Sequence, residues 1–433
     1  MPDTAAQRDP LPSIRACDVL VIGGGPSGSA AAYWLALAGH DVVVVERKHF
    51  PREKTCGDGL TPRSVRQLWD MGLATELEAH HRHEGLRAVA FGRELAMRWP
   101  AAPGLPRHGY VVTRADLDAL VAARAEKAGA TLWQGAEAQT PLCAEGPGGP
   151  AGGAVVADRD HGGTCEIRAR YLVVADGANS RVGRALGTVR KRSLPLGMAL
   201  RGYYSSPRHD DAWIESHLDI RDRSGEVVPG YGWIFPLGDG RVNVGIGLLS
   251  TADRWKGMNT SRLMDTFVDY APASWGLSPE TALGAPSGGR LPMALSVRPR
   301  AGCDWLVTGD AAGAINPFNG EGIAYAYETG RLAASVLDRG LSGGGQEVGA
   351  AYEAVLEETY GTYYRVAAGF VHLMSHPNTM RACVATGMRA RPVMELLLRI
   401  MANLMRPGAH GAAETAYAGL EAVARLHALV RRA

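Results

Sequence analysis

A short apolar run, Asp18-Val-Leu-Val-Ile22, ends in Gly23-Gly-Gly25-Pro-Ser-Gly28. An alanine-rich stretch from Ser29 to Leu37 follows, and then a second apolar run, Asp41-Val-Val-Val-Val-Glu46. Together these predict strand, glycine turn, helix, strand, which is one βαβ unit of a parallel sheet. In that setting Gly23 permits a tight turn, Gly25 lets a pyrophosphate approach the backbone, and Gly28 allows the helix to pack on the strand. Pro26 and Ser27 open the helix, whose free N–H groups face the anion. Glu46 closes the second strand about 20 residues on, where a carboxylate takes ribose hydroxyls.

A second set of cofactor signals lies far along the chain. Trp305-Leu-Val-Thr-Gly-Asp310 reads as a strand ending in Gly-Asp, which suits Asp310 to the ribityl hydroxyls of a flavin. Gly320 and Gly322 then open a long helix running through Tyr327 and Arg331, whose positive end suits the N1–C2 edge of the ring system. A third strand, Tyr171-Leu-Val-Val-Ala175, runs into Asp176-Gly177. A helical stretch from Ala115 to Lys127 follows Thr113-Arg114 and stops at Gly129. Thr131-Leu-Trp133, the Glu145 to Gly153 turn and the strand Ala154 to Ala157 read as a hairpin-containing insertion. From about Leu194 to Leu291 alternating segments such as Arg241 to Leu248 predict antiparallel strands. Beyond Gly343-Gly-Gly345 the chain reads as helical.

Arg114, Asp176-Gly177 and the two glycine motifs resemble the FAD-binding framework of the para-hydroxybenzoate hydroxylase-like flavoproteins. Three further stretches narrow this: Phe50-Pro-Arg-Glu-Lys-Thr-Cys56-Gly-Asp-Gly59, Asp176-Gly-Ala-Asn-Ser180 and Pro229-Gly-Tyr231-Gly-Trp233-Ile-Phe235-Pro236. The last matches the aromatic Y-x-W-x-F-P signature of the geranylgeranyl reductase family, and the chain resembles that family over nearly its whole length. Within it, Cys56 to Arg63, Ser216-His-Leu218 and Pro229 to Leu237 are most similar to the actinobacterial menaquinone reductases. The resemblance implies an α/β fold (α+β overall), with a Rossmann-type FAD-binding domain, an inserted antiparallel-sheet substrate domain and a helical C-terminus. Residues 15–60, 105–190 and 290–340 are expected to bind FAD, 61–104 and 191–289 the substrate, and 341–433 to form the helical region. It also implies reduction of alkenes in a polyprenyl chain, at the inner face of the cell membrane, by a cytoplasmic enzyme held there peripherally.

An isolated trisubstituted alkene is electron-rich and accepts hydride poorly. Its saturation needs a positioned acid, a reduced flavin and a dry apolar channel. The resemblance puts Cys56 beside the flavin; its ordinary pKa of about 8.5 leaves it a thiol at neutral pH. The bland reading is a small buried hydrophobe in a turn. Asp58 is the alternative acid, or simply a Gly-Asp-Gly turn residue. Tyr231, Trp233 and Phe235 alternate along a strand and so share one face, as a wall for an isoprenoid or as a core stripe. Arg47 follows Glu46 and is either a phosphate contact or a solvated side chain; the family arginine that Arg114 matches lies near the cofactor.

Composition excludes other classes. With a net charge of +2, nothing points to nucleic acid. Six scattered cysteines contain no Cys-x-x-Cys pair, which argues against disulfides and structural zinc. His80, His81 and His83 read as a surface helix end and not as a metal site. The N-terminal stretch has no apolar secretory signal, and no apolar run reaches about 18 residues, so no spanning helix is expected. From Phe370 to Met405 apolar residues mix with Arg381, Arg389, Arg391 and Arg399, a pattern that fits either plain packing or an anionic membrane surface. One dinucleotide motif alone is convincing, so the reductant is left open between NAD(P)H, a ferredoxin and a membrane donor. A flavin monooxygenase (hydroxylase or epoxidase) and a reductase of another prenyl lipid are the alternative activities. An FAD-binding protein with a structural or electron-shuttling role is the alternative class, and the W-x-W-x-I-P motif of flavin halogenases is matched only in part.

Overall fold

A computed structural model describes residues 8–143, 149–249, 259–343, 347–405, 411 and 414–422. β1 (Ile14–Ile22), α1 (Pro26–Leu37) and β2 (Val42–Glu46) form the expected βαβ unit, with β1 and β2 parallel. The run Val42 to Val45 is buried on both faces, as a central parallel strand requires. β3 (Gly59–Leu60), α2 (Pro62–Asp70), α3 (Ala74–Leu77), β4 (His81–His83), β5 (Gly85–Ala90), β6 (Arg93–Arg98) and β7 (Gly109–Val111) follow. α4 (Arg114–Lys127) is capped by Thr113, whose hydroxyl oxygen accepts from the Asp116 N–H.

Next come β8 (Thr131–Gln134), β9 (Ala136–Pro141), β10 (Gly153–Asp158) and β11 (Thr164–Val174). β8 pairs in parallel with β2, so Thr131 to Trp133 is an edge of the dinucleotide sheet and not part of an inserted hairpin. The hairpin is β9 with β10, and the tip of its turn, 144–148, lies outside the described residues. β11 is the spine of this layer. One of its edges pairs with β1; the other is shared, its first half antiparallel with β10 and its last three residues parallel with Trp305–Val307.

The chain continues through α5 (Arg181–Ala185), β12 (Val189–Arg190), β13 (Leu196–Ser205), β14 (Trp213–His217), β15 (Gly230–Pro236), β16 (Arg241–Leu249) and α6 (Thr260–Tyr270). β17 (Ser287–Pro292), β18 (Val297–Arg298) and β19 (Trp305–Val307) close the strands. A second sheet has the order β17-β13-β16-β15-β14-β5-β6 and is antiparallel except where β14 meets β5. α2 and α3 belong elsewhere: Val65, Leu68 and Leu77 pack in the core of the dinucleotide layer, although they sit within the 61–104 stretch expected of the substrate side.

α7 (Ile323–Leu341), α8 (Val348–Leu356), α9 (Thr362–Met374), α10 (Pro377–Gly387) and α11 (Arg391–Met401) complete the elements, with a helical segment over 414–422. Gly344 and Gly345, at the expected start of the helical region, lie outside the described residues. α7 lies against α1, and a Cβ at Gly330 would stand 2.2 Å from the Ser27 carbonyl oxygen. Glycine there is what lets the two helices touch. No described helix is long and apolar enough to cross a membrane.

Candidate active site

A cavity of about 1360 Å³ runs between the two sheets. At one end lies the glycine turn. Gly23 has φ 103°, and a Cβ there would meet the Ala175 carbonyl oxygen at 2.5 Å; one at Gly28 would stand 1.9 Å from the Gly23 oxygen. Gly25 caps α1 with Pro26 at the first helical position, and Ser27 bonds Thr308 at 3.0 Å. Above Gly25 the nearest atom to a built Cβ is the Arg52 guanidinium at 3.7 Å, so the helix N-terminus opens onto the cavity.

Glu46 is buried, and its carboxylate accepts from the Gly24 N–H at 3.0 Å and from Arg52 at 3.2 Å. Arg52 continues to Asp118 at 3.0 Å, which Arg114 grips through two bonds of 2.8 and 2.7 Å. Arg114 thus lies buried on the cavity wall as one end of a four-residue charge chain. Arg47, by contrast, is exposed at the rim. Asp176 binds the Arg181 and Val182 N–H groups through Oδ2, while its buried Oδ1 has no partner. Asp310 pairs with Lys54 at 2.8 Å. Gly320 has φ 75°, and Gly322 caps α7. Glu46, Arg47, Arg52, Lys54, Arg114, Asp176, Asp310, Gly320 and Gly322 all line the cavity.

A glycine turn with no room for a Cβ at Gly23 or Gly28, a carboxylate at the ribose position and unpaired buried oxygen at Asp176 fit an adenine dinucleotide at this end. Gly23, Gly25, Glu46 and Asp176 would hold its adenosine diphosphate portion, and Asp310 with the start of α7 its flavin portion.

The middle of the cavity is aromatic. Tyr231, Trp233 and Phe235 form a row on β15 with ring centroids 5.8 and 6.2 Å apart. A Cβ at Gly245 of the neighbouring strand would meet Trp233 at 2.2 Å, so glycine makes room for the indole. Tyr231 donates to the Asn319 carbonyl at 3.0 Å, and Trp233 donates to Asn243 Oδ1 at 2.9 Å. Against this row lies the Cys56–Gly59 loop, with Phe235 in contact with Gly57 and Gly59. Burial pushes the Cys56 thiol up, although the charge of Arg114 opposes it. Asp58 is fully buried with φ 65°, and burial raises its carboxyl to about 6 against the lowering by Tyr203 and Asn243. Glu321 at the foot of α7 is likewise pushed by burial to about 7, opposed by its bond from Thr61.

The far end is apolar, lined by Phe370, Met374, Met380, Val384, Met394 and Leu397. Ala382, Cys383, Thr386 and Val393 line it too and are exposed, so it opens beside α10 and α11.

The histidines are corrected by the structure. His81 and His83 lie on a strand, not at a helix end, because β4 pairs with β7. His83 is fully buried, bonded to the Leu60 carbonyl and accepting from Trp99, and burial lowers its pKa to about 3. Arg399 is no surface cation either: it bonds the Ala101 and Leu404 carbonyls. The sequence reading missed Arg52, Lys54, Asp118, Tyr203, Asn243 and Glu321. Arg52 and Lys54 stand in the quoted Phe50 to Gly59 stretch, but nothing in the spacing pairs them with residues 66 and 256 positions away.

Residues 16–205 match the FAD binding domain family model. A menaquinone reductase of Mycolicibacterium smegmatis is 41% identical over 388 residues, covering 90% of this chain and 92% of that one. A digeranylgeranylglycerophospholipid reductase of Methanopyrus kandleri is 32% identical, over 74% of this chain and 80% of that protein. Among solved structures, a geranylgeranyl bacteriochlorophyll reductase-like protein of Thermoplasma acidophilum superposes with a TM-score of 0.76 at 22% identity, covering 94% of this chain and 100% of that one. A flavin-dependent brominase superposes at 0.71 and 18% identity, over 95% and 99%; likeness at that level speaks for a shared fold.

Proposed function

The chain belongs to the geranylgeranyl reductase family of FAD-dependent oxidoreductases, and from that premise we propose that it saturates double bonds in the isoprenoid tail of a menaquinone. The observation that carries this reading is the continuity of the cavity, from a glycine-lined dinucleotide end, past an aromatic row, to an apolar end open at the surface. A long, flexible, unfunctionalised chain is the ligand such a channel suits. A compact polar substrate would leave its far end without a role.

FAD, when bound and reduced, supplies hydride. The protein's share is to hold the alkene, exclude water and give a proton. Phe370, Met374 and Met394 offer the tail an apolar path. Tyr231, Trp233 and Phe235 hold the isoprene unit, and their ring faces stabilise positive charge developing at its tertiary carbon. Cys56 is the acid in this reading. Burial keeps its thiol protonated, so the proton is present whenever a substrate arrives. Arg114, beside it, stabilises the thiolate left behind.

The substrate reaches the channel from a lipid surface, and peripheral contact through α10 and α11 belongs to the same proposal. Val393 on α11 and Leu373 at the end of α9 are exposed, as are Arg381 on α10, Arg389 in the following turn and Arg391 on α11. Such a face suits an anionic bilayer.

The test is anaerobic. Photoreduced holoenzyme is mixed with menaquinone bearing an unsaturated tail, and flavin reoxidation is followed together with the lipid mass. A gain of two hydrogens that survives reoxidation of the quinone ring supports tail saturation. Unchanged lipid, with oxygen alone reoxidising the flavin, removes the menaquinone reading and turns attention to other prenyl lipids and to oxygenation.

A further inference from the structure

Asp58 is a fully buried carboxyl in the wall of the cavity, and its two oxygens are treated very differently. Oδ2 accepts from the Tyr203 hydroxyl at 2.6 Å and from Asn243 Nδ2 at 2.7 Å, while Oδ1 is enclosed with no partner at all. An unpaired buried carboxylate oxygen is costly, and binding a proton relieves it. With both donors already on Oδ2, Oδ1 is the oxygen with room for that proton.

The same atoms tie Asp58 to Cys56 and to the aromatic row. The Asp58 N–H donates to Cys56 Sγ at 3.4 Å. Asn243 Nδ2 also donates to the Cys56 carbonyl at 2.8 Å, and its Oδ1 accepts from Trp233. One asparagine therefore fixes the acid, the thiol loop and the central ring of the row together. Tyr203 is only partly buried, with the buried Arg201 stacked on its ring at 4.2 Å and the partly exposed Arg241 at 5.5 Å, so its hydroxyl leads from Asp58 toward solvent.

We propose that Asp58 is the proton reserve of the site, a buried acid that returns a proton to Cys56 after each reduction and is refilled by way of Tyr203. The proposal deepens the reductase reading and rests on it. In the balanced sequence, the alkene π pair forms a C–H bond with the thiol proton, the S–H bond breaks, and a thiolate remains. Hydride from the reduced cofactor completes the second C–H bond. The Asp58 Oδ1–H bond then breaks to restore S–H; Tyr203 passes its hydroxyl proton to Oδ2 and takes one from water, and a half-turn of the carboxyl brings the new O–H to the unpaired position. Asp58 is thus a positioning and proton-holding residue that acts through Cys56.

The direction of transfer is favourable, since a carboxyl near 6 readily protonates a thiolate whose pKa lies above the ordinary thiol range. The charged or titratable groups facing Asp58 are Tyr203 and Arg201 from β13, Arg114 from α4 and Cys56 from its own loop. Burial outweighs the lowering by both arginines and by the Tyr203 and Asn243 bonds.

The experiment uses reduced holoenzyme and polyprenyl substrate in Asp58→Asn and Tyr203→Phe variants. With Asp58→Asn, one equivalent of saturated product per flavin forms at near the normal rate. Later turnovers slow by about tenfold or more, because the thiol must be refilled without its reserve. Wild-type turnover falls as pH rises through about 6, and that limb disappears in Asp58→Asn. In Tyr203→Phe the refilling route is gone, so later turnovers slow as well, and with one donor to the ionised form lost the pH limb moves up by about one pH unit. Infrared titration of the holoenzyme supplies a readout free of turnover: a protonated-carboxyl band lost near pH 6 and absent in Asp58→Asn. Unslowed repeated turnover with the pH limb intact in Asp58→Asn, or no such band, overturns the reserve. Should the lipid mass not change even in the wild type, it is the reductase reading that falls, and the infrared titration still decides whether Asp58 is a buried acid.

Discussion

Removing the Cys56 thiol tests the acid most directly. Cys56→Ala is expected to lower single-turnover alkene reduction by about 100-fold, in the range general acids contribute, with flavin content by absorbance unchanged. Gly28→Ala is expected to do the reverse, losing flavin first, because its methyl would stand 1.9 Å from the Gly23 oxygen. The check is the flavin-to-protein ratio after purification. Gly23, Gly28, Glu46 and Asp310 were legible because a glycine turn between two strands, or a strand ending in Gly-Asp, is a local pattern. Asp118 and Asn243 were not. Each earns its place through a partner far away in sequence, Arg52 in one case and Asp58 in the other, and an isolated aspartate or asparagine carries no mark of such pairing. Asp58 stood in a quoted motif, yet its turn geometry and its chemistry look identical until Tyr203 is seen to reach it.

Among elements, α10 and α11 carry the clearest prediction. If they rest on a bilayer, Arg381→Ala with Arg389→Ala should weaken partition onto anionic vesicles by about 30-fold, at about 1 kcal/mol per arginine. Reduction of detergent-dispersed substrate should be unchanged, since neither side chain lines the cavity. Equal vesicle binding by variant and wild type would argue against that face. Alternation disclosed the antiparallel strands well, and the βαβ unit better still. β8 escaped because Thr131 to Gln134 is short and flanked by turn residues, so nothing local tells an edge strand of a parallel sheet from one arm of a hairpin. The histidine segment failed similarly. Three histidines in four positions suggest a surface, but here β4 is a strand with one face inward, and His83 satisfies both ring nitrogens in the core.

For the whole molecule, buried titrating groups make stability depend on pH in opposing ways. Glu321 is raised from 4.5 to about 7 by burial, so the folded state holds a proton that the unfolded chain releases. That contribution is full below 4.5 and is lost as pH rises through 7. Glu321→Gln should therefore stabilise the holoenzyme at pH 8, by up to about 3 kcal/mol, and change little at pH 5; thermal midpoints at the two pH values check this. His83 acts in the other sense. Its folded pKa of about 3 lies below the usual 6.5, so acidification between those values favours unfolding. The overall α/β architecture was readable from the order of strand and helix patterns, whereas the joining of both sheets around one channel depends on contacts between distant segments. The divided edge of β11 shows how distant. Its last residues wait for Trp305–Val307, some 130 positions downstream. At about 5–20 residues per second of synthesis, the ribosome adds that missing strand only many seconds after β11 has emerged. Until then a row of unpaired backbone on an apolar strand is open to whatever else the cell offers it. Birth, more than maturity, is when this chain most needs a chaperone.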